Sequence, residues 1–257
     1  MMDFRREAEV YSVAQRGAAY DAGLRSYMLG VYNYMSLGLA ITGVLALAMY
    51  MLSVTSNPEQ AAGQIGDLML TSFGRVLFSG PLMWVFLLAP LGLVFYISAR
   101  IDRLAASTAT NLFLLYSALM GVSLSPILLV YTHTSIANVF FITAASFGGL
   151  SLWGYTTRRD LAPMGAFLTM GLIGLIIASL VNVFVGSNTF QFGLSIIGVL
   201  IFAGLTAWDT QTIKEMYDGS DVGEVATKKS VLGALRLYLD FINMFLMLLQ
   251  LFGQRRD

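Results

Sequence analysis

The polar and apolar positions of this chain are arranged in long blocks, with charged residues confined to short segments between apolar runs. A helix of about 20 apolar residues crosses the hydrocarbon core of a bilayer. The pattern predicts seven such helices and no internal repeat. The predicted spans are residues 26–53, 77–99, 107–131, 136–156, 162–185, 190–213 and 231–253.

Composition supports this interpretation. Of the 257 residues, 57% are hydrophobic and 12% are charged, whereas a soluble domain carries about 25% charged residues. So few charges cannot cover a water-exposed surface, and an all-α integral membrane protein is therefore expected. We expect one seven-helix transmembrane domain at residues 26–253, preceded by a polar tail at residues 1–25 and followed by a short tail at residues 254–257.

Charge and cysteine content exclude several functions. The formal net charge is zero, so the chain has no basic field to attract nucleic acid. It has no cysteine, which excludes disulfides, thiolate metal sites and cysteine catalysis. Its single histidine, His133, makes a histidine-based metal cluster unavailable.

The distribution of lysine and arginine predicts the orientation in the membrane. If the amino terminus is cytoplasmic, the inner segments carry twelve of these residues and the outer segments three. Only the carboxyl-terminal Arg255 and Arg256 disagree with this bias. Either the seventh helix crosses fully and places both arginines outside, or it enters partway and returns.

Two carboxylates interrupt the apolar runs, Asp209 in the sixth span and Asp240 in the seventh. An ionised Asp near mid-depth costs roughly 2.5–3.5 kcal/mol or more, so each residue needs a partner, a proton or water. At 1.5 Å per residue, Asp209 lies roughly 6 Å and Asp240 roughly 12 Å from the same surface. We therefore expect the two side chains to meet and to titrate as one proton-sensitive pair.

Arginines compete for such a pair. Arg100 and Arg103, in the turn after the second span, belong to the same cytoplasmic layer, and Arg236 lies four residues before Asp240 as a local partner. The alternative is a purely structural role, in which each Asp only hydrogen-bonds a neighbouring helix. The polar side chains available for that role are Asn243, Thr210 and Gln211.

Four motifs carry a resemblance to a known family. Ala207–Gln211 (AWDTQ) is followed, after one polar connection, by Leu237–Asn243 (LYLDFIN), and Gly121–Pro126 (GVSLSP) and Tyr155–Leu161 (YTTRRDL) precede them. With these motifs the chain resembles the transmembrane Bax inhibitor motif family in its bacterial branch, over roughly residues 25–253. It departs from the family at Trp208, where a tyrosine often stands, and in a longer connection between the two Asp helices.

The resemblance implies seven helices, six of which surround a central carboxyl-terminal helix, in the inner membrane of a bacterium. It also implies a pH-sensitive calcium leak channel. Asp209 and Asp240 match the family's proton-sensing aspartates, and Arg103 matches the arginine that latches to the first of them, with Arg100 as the fallback. Arg236, Asn243 and Gln211 are possible supporting residues.

Calcium is expected as the transported ion and not as a tightly bound cofactor. Calcium takes six to eight oxygen ligands, and the carboxylates of Asp209 and Asp240 with a few amides supply fewer. A weak site suits a leak better than a buffer or a pump. The lipid bilayer is the other expected partner.

Two other classes of function remain as alternatives. In the first alternative, the chain is a membrane-embedded regulator that modulates a membrane-anchored protease or a stress response. It would do so through the amino-terminal tail or the connection at residues 215–230. Alternatively, paired aspartates serve intramembrane proteolysis, but the Gly-x-Gly-Asp motif of those proteases is absent here. We therefore expect no enzymatic activity.

Overall fold

The computed structural model describes residues 2–256 except residue 222, and side chains from residue 21 onward except at positions 79 and 222. The predicted polar tail thus lies largely outside the described side chains. The described helices are α1 (Met2–Ser53), α2 (Ser72–Ser79), α3 (Leu82–Arg100), α4 (Ala106–Leu124), α5 (Ile127–Val130), α6 (His133–Thr156), α7 (Ala162–Val185), α8 (Asn188–Glu215) and α9 (Glu224–Phe252).

Seven stretches of helix are long and apolar enough to cross a membrane, which confirms the predicted all-α membrane fold. Five of them are α3, α6, α7, α8 and α9, with α3 extended by the turn at Ile101–Arg103. The first is the part of α1 from Asp21 to Ser53, and α4 together with α5 makes the third. The third is broken at Ser125–Pro126, because proline has no backbone N–H to continue a helix.

The last helix occupies the centre of the bundle, as the sequence resemblance implies. Helix α9 packs mainly against α1, α4, α6 and α8, while α3 packs on α4 and α7 packs on α8. Its side chains Leu237 and Tyr238 are fully buried. The helices approach closely where α6 crosses α8, because a Cβ atom on Gly154 would collide with the carbonyl oxygen of Ala207.

Helix α9 is longer than the apolar pattern predicts. It begins at Glu224 rather than near residue 231, after Gly223 with a φ of +59°. At 29 residues it extends about 43 Å, which exceeds the hydrocarbon thickness of about 30 Å. It is continuous over all 29 residues, as a full crossing requires, with no break at which the chain turns back.

The carboxyl-terminal segment lies at the end of the bundle opposite to Glu224. The N–H of Thr132 donates to the carbonyl of Gln254 at 3.0 Å, and the N–H of Arg256 donates to the carbonyl of Val130 at 2.9 Å. We call this the outer end, with residues 54–81, 131–132, 186–187 and 253–256. The inner end comprises residues 101–105, 157–161, 216–221 and 223.

The connection between the first two spans is folded, although its composition predicts only a polar link. Strands β1 (Val54–Thr55), β2 (Gly63–Ile65) and β3 (Leu68–Leu70) form an antiparallel sheet in the order β1-β3-β2. Helix α2 follows it, and α3 therefore starts at Leu82, five residues later than predicted.

Candidate functional site

The two intramembrane aspartates meet at the contact between α8 and α9. Their carboxyl groups lie within hydrogen-bonding reach of each other. Asp240 is only 4% exposed, and the side chain of Asp209 is 13% exposed on the inner side of the pair. The structure therefore brings together the two residues that the depth estimate places at a similar level.

Asp240 is the more demanding member of the pair. Its Oδ2 atom is buried and has no hydrogen-bond partner among the described residues. A buried ionised carboxylate without a partner is costly, and a buried protonated one must donate its proton. A proton shared with Asp209 meets both requirements, because it removes one charge and supplies one hydrogen bond.

The cation at this site is Arg236. Its Nη1 atom lies 3.5 Å from Oδ1 of Asp209, so that the guanidinium on α9 reaches across to α8. The Arg236 side chain is 39% exposed. The Asp209 side chain that it reaches is 13% exposed, so the contact joins a half-exposed cation to a largely buried carboxyl group.

Arg103 and Arg100 lie elsewhere in this structure. Both side chains are exposed, and neither forms an ion pair with a described residue. The turn that carries Arg103 meets α9 at Lys228, whose Nζ donates to the carbonyl of Asp102 at 3.3 Å. Lys228 precedes Asp240 by 12 residues, or about 18 Å of helix.

The early start of α9 explains this placement. The arginine turn meets α9 within its added inner turns, at Lys228, and not near the carboxyl pair. The apolar pattern begins only near residue 231. A depth for Asp240 that is counted from residue 231 therefore places Arg100 and Arg103 too close to it. The contact with Asp209 that the sequence resemblance assigns to Arg103 is made here by Arg236.

The three amide and hydroxyl candidates bond other groups. Gln211 accepts from the N–H of Leu161 and donates to the carbonyl of Arg159, both at 2.8 Å, and so holds the turn before α7. Asn243 donates to the carbonyl of Leu239 in its own helix at 2.8 Å. None of the described hydrogen bonds joins Asn243, Thr210 or Gln211 to either aspartate, as the structural alternative would require.

A chain of hydroxyl groups, not recognised in the sequence, leads to the neighbour of Asp209. The hydroxyl of Tyr32 on α1 lies 2.6 Å from Oγ of Ser151 on α6. That Oγ lies 2.9 Å from Oγ1 of Thr210 on α8. Small hydroxyl residues are common wherever membrane helices pack, so their sequence positions alone do not distinguish this chain from ordinary packing.

The route from the pair to the outer end is closed by apolar side chains. Leu205 lies one helical turn outward from Asp209, and Met244 lies one turn outward from Asp240. They are 4% and 1% exposed. Further out, Met247 packs against Gly198. Buried apolar side chains therefore separate the carboxyl pair from the outer end.

The donor set at the pair is small. Among the described residues, no group of three or more His, Cys, Asp or Glu side chains is placed to hold a metal ion. A divalent cation at this site would rest on two carboxylates and neutral oxygen atoms. Calcium, which takes six to eight oxygens, would keep much of its water there.

The amino-acid sequence is similar to those of several known proteins. Residues 24–257 match the family model described as "Inhibitor of apoptosis-promoting Bax1". A protein of Rickettsia prowazekii is 45% identical over 258 residues, covering 100% of both chains. The inner membrane protein YbhL of Escherichia coli (strain K12) is 45% identical over 237 residues, 91% of this chain and 94% of the relative. A membrane protein of Streptococcus pyogenes is 34% identical over 234 residues, 91% and 95% of the two chains.

Proposed function

We propose, from the premise that this chain belongs to the Bax inhibitor-like family of membrane proteins, that it is a pH-sensitive calcium leak channel. The family match confirms the resemblance carried by the sequence motifs. The channel function itself is our inference from the site. Its pH sensor is the pair Asp209–Asp240, and calcium is the ion that it passes.

The observation that carries the proposal is the buried Oδ2 of Asp240, which has no hydrogen-bond partner among the described residues and lies next to a second carboxyl group. Structural polar groups inside membranes normally have partners, and intramembrane ionisable residues mark ion or proton pathways. Here one proton and one arginine compete for Asp209. Asp209 can therefore be held in two ways, by the shared proton or by the arginine, and a switch requires two such arrangements.

In the proposed mechanism, a shared proton holds α8 and α9 together and the outer apolar closure stays shut. A change in protonation breaks the bond between the carboxyl groups, and Arg236 changes its hold on Asp209. The helices then separate around Leu205 and Met244, and the exposed carboxylates attract a divalent cation. The weak donor set lets the cation leave again, as a leak requires.

The test uses purified protein in vesicles that enclose a calcium indicator. For the intact chain, calcium flux is expected to change with pH. For Asp240→Asn, which removes the shared proton with little change in shape, we expect a flux independent of pH. The matched control is Asp218→Asn in the exposed inner connection, which should keep the pH dependence. An Asp240→Asn protein with an unchanged pH profile would refute the proposal.

The orientation is part of the proposal. The printed name of the Escherichia coli relative assigns that protein to the inner membrane, and we propose the same membrane here with the amino terminus cytoplasmic. The bias of lysine and arginine toward the inner end supports this orientation. Because the chain has no cysteine, single cysteines at residues 57 and 219 would report the two sides by labelling. Labelling of residue 57 from the cytoplasm would reverse the assignment.

A further inference from the structure

A wide groove runs between α1 and α6 on the side of the bundle, with a volume of about 1010 Å³. Its walls are mostly apolar, with Met35 and Leu39 from α1 and Leu152 from α6, and its floor is Phe241 of α9. Gly43 of α1 and Gly148 of α6 line opposite walls of the groove, and a Cβ atom at either position would meet open space. The two helices therefore leave a gap beside the central helix.

The groove extends across the membrane region. Arg25 and Val44 both line it, and at 1.5 Å per residue they are about 28 Å apart along α1. The hydrocarbon core is about 30 Å thick. The groove thus opens sideways at the depth of the acyl chains. If the groove were empty at that depth, the apolar side chains that line it would lack dispersion contacts on their open side.

The polar end of the groove lies at the inner end of the bundle. The exposed side chain of Arg25 lines it there and forms no ion pair with a described residue. Tyr155 lines the same end, and Lys214 donates from Nζ to its carbonyl oxygen at 2.9 Å. Two positive groups therefore flank the mouth, and guanidinium groups bind phosphate oxygens through charge-assisted hydrogen bonds.

We propose that this groove is a binding site for one phospholipid of the inner-end leaflet. An acyl chain lies along α1 and α6 on Phe241, and the phosphate is bound by Arg25. The site joins a lateral apolar channel of acyl-chain dimensions to a cation at headgroup depth that has no ion pair among the described residues. This combination separates it from the rest of the lipid-facing surface.

The bound lipid reaches the surroundings of both intramembrane aspartates. Phe241, on the floor, follows Asp240 directly in α9. Tyr32 and Ser151 line the wall and lead by hydrogen bonds to Thr210, the neighbour of Asp209. The acyl chain is therefore in contact with side chains that adjoin each member of the pair.

Native mass spectrometry of the full chain tests the site, after release from vesicles of equal phosphatidylglycerol and phosphatidylcholine. The intact protein is expected to retain one phospholipid, with phosphatidylglycerol preferred. Gly148→Leu and Gly43→Leu, which fill the groove from opposite walls, are expected to lose it. The matched control is Gly174→Leu on α7, which also has open space around it but does not line the groove; it should retain the lipid.

The charge is tested separately. Arg25→Gln is expected to lose the preference for phosphatidylglycerol, while Arg158→Gln, an exposed inner-end arginine outside the groove lining, keeps it. Wild-type lipid retention by both groove variants would overturn the proposal, since the lipid would then be ordinary boundary lipid. Dimers of the intact protein that Gly148→Leu abolishes would also overturn it, since a second copy would then cover the groove. Because Arg25 is exposed, Arg25→Gln should leave the helix packing intact. A preference for phosphatidylglycerol that persists in this variant would overturn the proposal even if a groove variant fails to fold.

Discussion

Arg236 precedes Asp240 by one helical turn on α9, but its Nη1 atom lies 3.5 Å from Oδ1 of Asp209 on the neighbouring helix. The two helices are thus joined by one cation and two carboxyl groups. With one proton shared, these three groups carry no net charge. A neutral cluster is the least costly arrangement at membrane depth, and each departure from it changes the interaction between α8 and α9.

Replacing Arg236 is expected to shift the pH response of the proposed channel. In Arg236→Gln the positive charge that favours ionised carboxylates is gone, so the pair keeps its proton to higher pH. We expect the midpoint of the calcium-flux profile to rise by about one pH unit, since nearby opposite charges shift carboxyl titration by about 1–3 units. Flux into indicator-loaded vesicles at a series of pH values measures it.

Arg103→Gln is the matched comparison for that experiment. Arg103 is exposed and lies at the turn that meets α9 about 18 Å before Asp240. Its removal should leave the midpoint where it is. A shifted midpoint in Arg103→Gln, with an unshifted one in Arg236→Gln, would assign the latch to Arg103 instead.

Shortening Met244 should weaken the outer closure. Met244→Ala opens space one turn outward from Asp240 and is expected to raise calcium flux at every pH. Cavities of this kind cost about 2–5 kcal/mol of stability, so thermal unfolding must be measured alongside flux. Ile196→Ala, on the lipid-facing side of α8, is the control and should leave flux unchanged. Equal flux in the two variants would place the closure elsewhere.

The crossing of α6 and α8 predicts an unequal response of two glycines on one helix. A side chain on Gly154 collides with the backbone of Ala207, whereas Gly149 faces open space. Gly154→Val is expected to lower the unfolding free energy by about 1–3 kcal/mol or more. Gly149→Val should change it by less than about 0.5 kcal/mol. Unfolding in detergent, followed by circular dichroism, compares them, and equal losses would contradict the close approach.

Asp218 gives a pH prediction outside the membrane. Its Oδ1 accepts from the N–H of Ser220 at 2.9 Å and from the hydroxyl of Ser220 at 2.7 Å, and these bonds lower the pKa of the carboxyl. Because the folded-state pKa is depressed, the carboxylate stabilises the turn fully above the ordinary Asp pKa. This contribution is lost as the pH falls through the folded-state value.

Ser220→Ala removes the hydroxyl bond and should raise the pKa of Asp218 toward its ordinary value. Carbon-13 NMR of the labelled carboxyl group measures the titration directly. The bond from the backbone N–H remains in this variant, so the rise should be partial. A titration of Asp218 that is identical in the two proteins would mean that the hydroxyl bond does not form in solution.

Features that depend on long apolar runs, and on charged residues within them, could be predicted from the sequence. The seven apolar runs give the seven spans, and α7 falls at the expected residues 162–185. The meeting of Asp209 and Asp240 follows from the high cost of isolated charges in lipid. The spans depend on the apolar character of many residues together, and the meeting of the aspartates depends on the large cost of one isolated charge. Details of side-chain packing do not reverse either effect.

Features that depend on side-chain reach could not be predicted in this way. Arg100, Arg103 and Arg236 are all candidate partners in the sequence. The sequence does not show that α9 begins at Glu224 or that Arg236 reaches across to Asp209. The polar segment from Glu224 to Ser230 contains lysines and alanine that suit a helix as well as a loop. The groove between α1 and α6 depends on how far two helices stand apart, which neither helix encodes alone.

The central position of α9 also has a consequence for biosynthesis. Ribosomes make the chain from its amino terminus, so the helix that fills the middle of the bundle leaves the exit tunnel after the six spans around it. Until it arrives, the surfaces of α1, α4, α6 and α8 that it covers have no protein partner, and Asp209 lacks both Asp240 and Arg236. The other six spans therefore form an unfinished shell until α9 inserts between them.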